Sequence, residues 1–194
     1  MDRSSQADMI MGNMLAALET LYGCPDFAAL VPEVRVNLAY ALPGAGTPRE
    51  VAAIDGRITV VRGLPHAAGL PRWGASDHLA RRLIEARKYD AAINAAINFR
   101  YDKVIDAVVQ RYCAERGILY GHLDRTGEPD EVTAEDGASM PWKVKQLVAA
   151  CGGMPRLFYE GEGWGKEPLF LAMGGSATEV AGIAVDIARR CRKK

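Results

Sequence analysis

"VRVNLAYAL" (residues 34–42) decides the fold class, because hydropathy alternates through it without a break. Val34, Val36, Leu38, Tyr40 and Leu42 fall on one side, and Arg35, Asn37, Ala39 and Ala41 on the other. Side chains of an extended chain point to alternate faces, so the stretch reads as a strand with one apolar side. The period changes to that of a helix on either side of it. Upstream, residues 6–22 place Met9 or Ile10, Asn13 or Met14, Ala17 or Leu18, and Leu21 on a helical stripe closed by Gly23 and the Cys24-Pro25 break. Its methionines, Met9, Met11 and Met14, read first as core packing and second as a dimer contact. Downstream, "WGASDHLARRLIEA" (residues 73–86) starts a helix: Ser76 and Asp77 are both good N-caps, and Leu79, Leu83 and Ala86 recur at helical spacing. Arg81, Arg82 and Glu85 take other faces. An imidazole, His78, stands at that helix start, where free backbone N–H groups favour anions.

The alternation of elements continues. "RITVVRG" (57–63) reads as a second strand ended by glycine. "AAINAAINFRYD" (91–102) groups Ile93, Ala95, Ile97 and Phe99 and sends Asn94, Ala96, Asn98 and Arg100 to the opposite side, as in a half-exposed strand or the polar wall of a cleft. "DKVIDAVVQRYCAERG" (102–117) is a helix from an Asp102 cap to Gly117, "ILYGHLD" (118–124) a strand, and "RTGEPDEVTAEDGAS" (125–139) a polar loop. "MPWKVKQLVAACGG" (140–153) is a helix with Pro141 in its first turn. "RLFYE" and "LFLAMGG" are strands around a Gly-rich loop, and "SATEVAGIAVDIARRC" (176–191) closes the chain as a helix with Val180, Ile183, Ile187 and Cys191 on its buried edge. With no internal repeat and no linker, this pattern predicts one α/β domain in which helices cover a mixed sheet.

Composition narrows the function. Lysine plus arginine (24) equals aspartate plus glutamate (24), which lacks the overall basic character of a nucleic-acid binder. No apolar run approaches the roughly 20 residues that span a bilayer, and the N-terminus lacks the pattern of a signal peptide. Cys24, Cys113, Cys151 and Cys191 form no CxxC pair; Cys113 and Cys151 fall on apolar helix faces, so buried thiols in a reducing cytoplasm are expected. His66, His78 and His122 are scattered, with no HxH or HExxH to build a zinc site, and no GxSxG elbow is present.

Polar residues concentrate in three groups at element ends. Arg57 in "DGRITV" joins Ser76, Asp77, His78 and Arg81; Asn98, Arg100 and Asp102 join Asp124, Arg125 and Glu128; Ser139 and the backbone at Met140 join Lys166 and Glu167. "GASM" before a helix is the shape of a phosphate-receiving turn or a plain cap, without P-loop spacing. Together the groups suit an anion-rich ligand held by arginines, a lysine and helix ends.

"VPEVRVNLAYALPGA", "EVAAIDGRITVV", "GASDHLARRLIEARKYD", "AAINFRYD", "LDRTGEP", "SMPW" and "GKEP" follow one another in the order of the ThiN family, which the chain resembles over roughly residues 28–190. These are thiamine-phosphate synthases, often fused behind a hydroxymethylpyrimidine kinase. The resemblance implies a three-layer α/β/α sandwich, mixed and largely antiparallel, of the class II aldolase-like kind, with residues 1–27 as an amphipathic extension and 28–194 as the synthase domain. It implies condensation of hydroxymethylpyrimidine diphosphate with hydroxyethylthiazole phosphate to thiamine phosphate and pyrophosphate, in a cytoplasmic homodimer, with magnesium assisting. The family's essential arginine falls on Arg57 and its essential histidine on His78. Asn37, Ser76, Asp77, Asn98, Arg100, Asp124, Arg125, Ser139, Met140 and Lys166 are the expected substrate-binding residues. His78 donates to a phosphate or the leaving oxygen if protonated, and orients substrate if neutral. Magnesium is expected to arrive on the diphosphate, which Asp77 or Asp124 could reach through water, with no direct protein ligand.

Two residues depart from the family pattern: Lys143 after the tryptophan of "SMPW", and Trp164 in "GWGKEP", both expected at the pocket rim. With no kinase segment in the chain, the pyrimidine diphosphate is expected from a separate protein. The rival reading is a thiamine-phosphate sensor of the kind found behind DNA-binding helices. Arg57 and His78, which such sensors tend to lose, and the shortness of the 27 preceding residues both favour the enzyme. An aldolase-like metalloenzyme would need the histidine cluster that is missing.

Overall fold

The computed structural model describes residues 2–125, 139–163 and 167–192. A first helix, α1 (Arg3–Tyr22), and a short 3-10 turn (Pro25–Leu30) lead into β1 (Leu38–Ala41). Four short strands follow: β2 (Val51–Ile54), β3 (Ile58–Val61), β4 (Leu64–Ala67) and β5 (Pro71–Trp73). Then come α2 (Asp77–Ala86), β6 (Ala95–Arg100), α3 (Lys103–Arg116), β7 (Tyr120–Leu123), α4 (Ser139–Cys151), β8 (Leu157–Glu160), β9 (Leu169–Gly174) and α5 (Ala177–Arg192). Seven strands form one sheet in the order β5-β2-β1-β6-β9-β8-β7, antiparallel at every pairing except β7–β8. The fold is α/β with a mixed sheet.

Successive residues of the strands feed two apolar clusters. Leu38, Ala95, Ile97, Phe99, Leu157, Phe170 and Ala172 pack with α1, α3 and α5. Their neighbours Ala39, Ala41, Ala96, Phe158, Leu171 and Met173 pack with α2 and α4. Both sides of the sheet are therefore covered, which corrects the one-sided strand expected at 34–42. The alanines of the side expected to be polar are buried, because their small side chains let helix α2 approach the sheet.

The strand is also shorter than its alternation. Arg35 has a φ of 68°, outside extended geometry, and only an isolated bridge from Val36 to Ile58 precedes the pairing of β1 with β2 and β6. The strand expected at 57–63 exists as β3, but it pairs with β4 in a separate two-stranded hairpin. In the main sheet β1 lies between β6 and β2, and β2, "VAAI", is buried at all four positions and so has no alternation to announce it.

Helix α1 belongs to the larger cluster through Ile10, Met14, Ala17, Leu18 and Leu21. Its methionines divide: Met14 is fully inside, Met11 packs partly against the cluster, and Met9 is exposed. Cys113 is buried as expected and Cys151 only partly so, and no disulfide joins the cysteines among the described residues.

Candidate active site

A cavity of about 260 Å³ opens on the α2–α4 side of the sheet, lined among others by Asn37, Arg57, Ser76, His78, Asn98 and Arg125. Each arrives for a local reason. Ser76 caps α2 by accepting the N–H of Leu79, which sets His78 in the first turn of the helix. Arg57 follows Gly56 in the turn after β2, and both have positive φ, 70° and 69°. A non-glycine residue there is strained, and such strain gathers at functional sites. Its Nη1 donates to the carbonyl of Val34.

The two asparagines serve the backbone as well as the cavity. Asn37 Oδ1 accepts the N–H groups of Leu38 (2.8 Å) and Ile54 (3.1 Å), while Asn98 Oδ1 accepts the N–H of Asn37 (2.7 Å) and its Nδ2 donates to Arg35 O (3.1 Å). They tie β1, β2 and β6 together beneath the ligand space.

Other expected binding residues lie elsewhere. Asp77 is exposed and paired with Arg81 at 2.6 Å, and Arg100 is exposed beside Asp102 at 3.7 Å. Asp124 is exposed and absent from the cavity lining. Ser139 and Met140 open α4, with Met140 buried in the apolar cluster, so neither meets the cavity. Lys166, like Glu128 and Trp164, lies outside the described residues.

Sequence reasoning missed the charged floor. Arg82, assigned there to a non-apolar face, is fully buried, and Lys143, expected at the rim, is 1% exposed. Both hold Glu160 at the end of β8: Arg82 Nη2 donates to Oε2, and Lys143 Nζ donates to Oε1 at 3.0 Å. Arg125 Nε lies 3.7 Å from the same Oε1. Its guanidinium passes over Gly163, where an added Cβ would come within 2.0 Å of Nη1 and push the guanidinium aside. Burial pushes the Glu160 carboxyl up, but the positive charges of Arg82 and Lys143, with His78 when charged, outweigh it and bring it down to about 2. Arg82 Nη2 also lies 3.3 Å from His78 Nε2, while Arg82 Nε and Nη1 are buried without a hydrogen-bond partner among the described residues. A signal for Arg82 did exist, since it stands three residues after Leu79 and four before Ala86, on the inward stripe.

Among the described residues around the cavity and its floor, four cations (Arg57, Arg82, Arg125, Lys143) face two carboxylates, Glu160 and Glu167. Glu160 is held by three of those cations, and Glu167 Oε1 accepts the N–H of Val34 at 2.7 Å. The excess of positive charge, beside a helix N-terminus, suits an anionic ligand.

Comparison with known proteins gives the same direction. A family model described as "Thiamine-phosphate synthase ThiN" matches residues 13–186. A thiamine-phosphate synthase ThiN from Methanothermobacter thermautotrophicus is 35% identical over 182 residues, covering 94% of each chain. A bifunctional thiamine biosynthesis protein ThiDN from Methanocaldococcus jannaschii is 33% identical over 152 residues, 78% of this chain and 34% of that protein. The crystal structure of a C-terminal domain of phosphomethylpyrimidine kinase superposes with a TM-score of 0.86 at 31% identity, covering 93% of this chain and 98% of that one. On the strength of a match that spans most of its length, the chain belongs to the ThiN family of thiamine-phosphate synthases.

Proposed function

We propose that this protein is a thiamine-phosphate synthase, a transferase that joins hydroxymethylpyrimidine diphosphate to hydroxyethylthiazole phosphate. The observation that carries the reading is that Arg57 and His78, 21 positions apart in sequence, line one cavity with a surplus of cations. In the reaction the bond from the pyrimidine methylene carbon to the diphosphate oxygen breaks, pyrophosphate leaves with the electron pair, and the thiazole nitrogen bonds to that carbon. Two tasks fall to the protein: stabilising charge on the departing oxygens and aligning the two rings. Arg57, anchored through Nη1 on Val34 O, presents the rest of its fork toward the diphosphate. Arg125 and the first turn of α2 add positive potential, and Leu169 and Leu171 give the rings an apolar wall.

The residues described do not suit a resident magnesium. They contain no group of three or more His, Cys, Asp or Glu side chains placed to hold a metal, and the two cavity carboxylates are already engaged. Magnesium would then arrive as the counter-ion of the diphosphate substrate, without a dedicated protein site. The layered α/β/α reading is supported by the two apolar clusters on opposite faces of the sheet, while its class II aldolase-like kinship is carried over from the family resemblance alone. A cytoplasmic homodimer completes the proposal, with residues 1–27 packed into the core of the 28–194 synthase domain rather than standing apart from it.

The test is to mix purified protein with both phosphorylated precursors and magnesium and to assay thiamine phosphate. Product is expected from the parent protein, with kcat falling on the order of 10²–10³-fold in Arg57→Ala, as for loss of one preorganised donor to a developing anion, and also falling in His78→Ala. Tight binding of thiamine phosphate without turnover would overturn the synthase in favour of a sensor.

A further inference from the structure

We infer that Arg82, buried beneath the cavity, is a positioning residue that holds His78 neutral with its proton on Nδ1. This deepens the synthase reading and rests on it only for the catalytic consequence. Nη2 of Arg82 carries two hydrogens and has two neighbours: Glu160 Oε2, and His78 Nε2 at 3.3 Å. A guanidinium donates and never accepts, and it stays charged at every pH of interest. His78 Nε2 must therefore be the acceptor in this contact, which requires a lone pair on that nitrogen and places the ring proton on Nδ1.

Among the described residues, the surroundings support the neutral form. His78 and Arg82 are one helical turn apart on α2, so the pair is built into the helix. From β8, Glu160 would favour an imidazolium, but its two oxygens are occupied by Arg82 and Lys143, with Arg125 beside them. From the other walls, Arg57 and Arg125 oppose a further positive charge, and Glu167 turns its Oε1 to the N–H of Val34. On its own helix, Asp77 is paired with Arg81. Glu160 thus acts through Arg82: it fixes the guanidinium, and the guanidinium fixes the ring. Of the two roles open to the histidine, this selects the neutral one. His78 meets the substrate as a hydrogen-bond donor through Nδ1–H, and it does not supply a proton to the leaving diphosphate.

The chain has only three histidines, His66, His78 and His122, so their ring nitrogens can be assigned individually by 15N NMR with single substitutions. In the parent protein near neutral pH, His78 is expected to show an unprotonated Nε2 and a protonated Nδ1. Arg82→Met should remove that fixed tautomer and lower kcat on the order of 10- to 100-fold, the scale of a misplaced catalytic group, with a smaller change in KM. Arg82→Lys, which restores a donor, should recover part of both the tautomer signature and kcat. A protonated Nε2 in the parent protein overturns the inference, and so does an unchanged tautomer and kcat in a folded Arg82→Met. Since the tautomer is read in the parent protein, a variant that fails to fold leaves that arm decisive. An unprotonated Nε2 in a protein that makes no thiamine phosphate would support the inference and overturn the synthase.

Discussion

Arg57 holds its backbone at a φ of 69°, where a side chain costs roughly 1 kcal/mol or more relative to glycine. Replacing it by alanine and by glycine removes the same guanidinium and the same hydrogen bond to Val34, so the difference between the two variants isolates the backbone. Arg57→Gly should be more stable than Arg57→Ala by about 1 kcal/mol in urea unfolding, and both should show the same fall in kcat. Equal stability would mean that the turn carries no strain. Glu160 has a different signature. Its carboxyl is held at about 2 against an ordinary 4.5, so the stability it contributes is complete above pH 4.5 and is lost as pH falls toward 2. Glu160→Gln leaves Arg82 and Lys143 buried without their counter-ion, and at pH 7 it should destabilise by about 3–5 kcal/mol. The gap to the parent protein should narrow as pH falls from 4.5 to 2, and a gap constant over that range would refute the assignment. Arg57 and His78 are singled out by the family resemblance, through "DGRI" and "SDHLAR", and both line one cavity. Arg82, Lys143 and Glu160 are not so marked, because charged residues are read as solvent-facing unless the partner that neutralises them is known, and theirs comes from a distant strand.

Elements are legible where their ends carry chemistry. Asp102 was read as a cap, and its Oδ1 accepts the N–H groups of Val104 and Ile105, both at 2.8 Å. The start of α2 at Ser76 was equally plain. Strand β2 was missed because its four buried residues do not alternate, and strand order cannot be read from periodicity at all. The parallel edge at β7–β8 shows a further dependence between elements. Gly121 of β7 faces α4, where an added Cβ would lie 2.7 Å from Pro155 Cγ, 3.0 Å from Cys151 Sγ and 3.1 Å from Leu147 Cδ1. Glycine at this point lets α4 lie close to the sheet, and α4 carries Lys143 to Glu160. Gly121→Ala should therefore cost about 1–3 kcal/mol through overpacking. It should also lower kcat by shifting Lys143 from beneath the cavity. An alanine variant with unchanged unfolding midpoint and rate would show that the helix has room to spare.

At the scale of the whole molecule, the sheet separates a structural side from a working side. The cluster built with α1, α3 and α5 contributes none of the cavity-lining leucines, whereas Leu79 and Leu171 belong to both the cavity and the α2–α4 cluster. Loss of packing on the structural side should therefore reduce the folded fraction without altering the site. Leu21, fully buried on α1, tests this: Leu21→Ala should cost about 2–5 kcal/mol, yet leave kcat per folded molecule unchanged at a temperature where the variant remains folded. A larger excision follows the same logic. Removing residues 1–24 takes Ile10, Met14, Ala17, Leu18 and Leu21 out of the cluster at once and uncovers α5 beneath them. The expected result is loss of cooperative unfolding by circular dichroism. If α1 were chiefly a dimer contact, made through exposed Met9 and Leu15, the truncated chain would instead fold cooperatively at half the parent's mass in solution, and that outcome would overturn its place in the core.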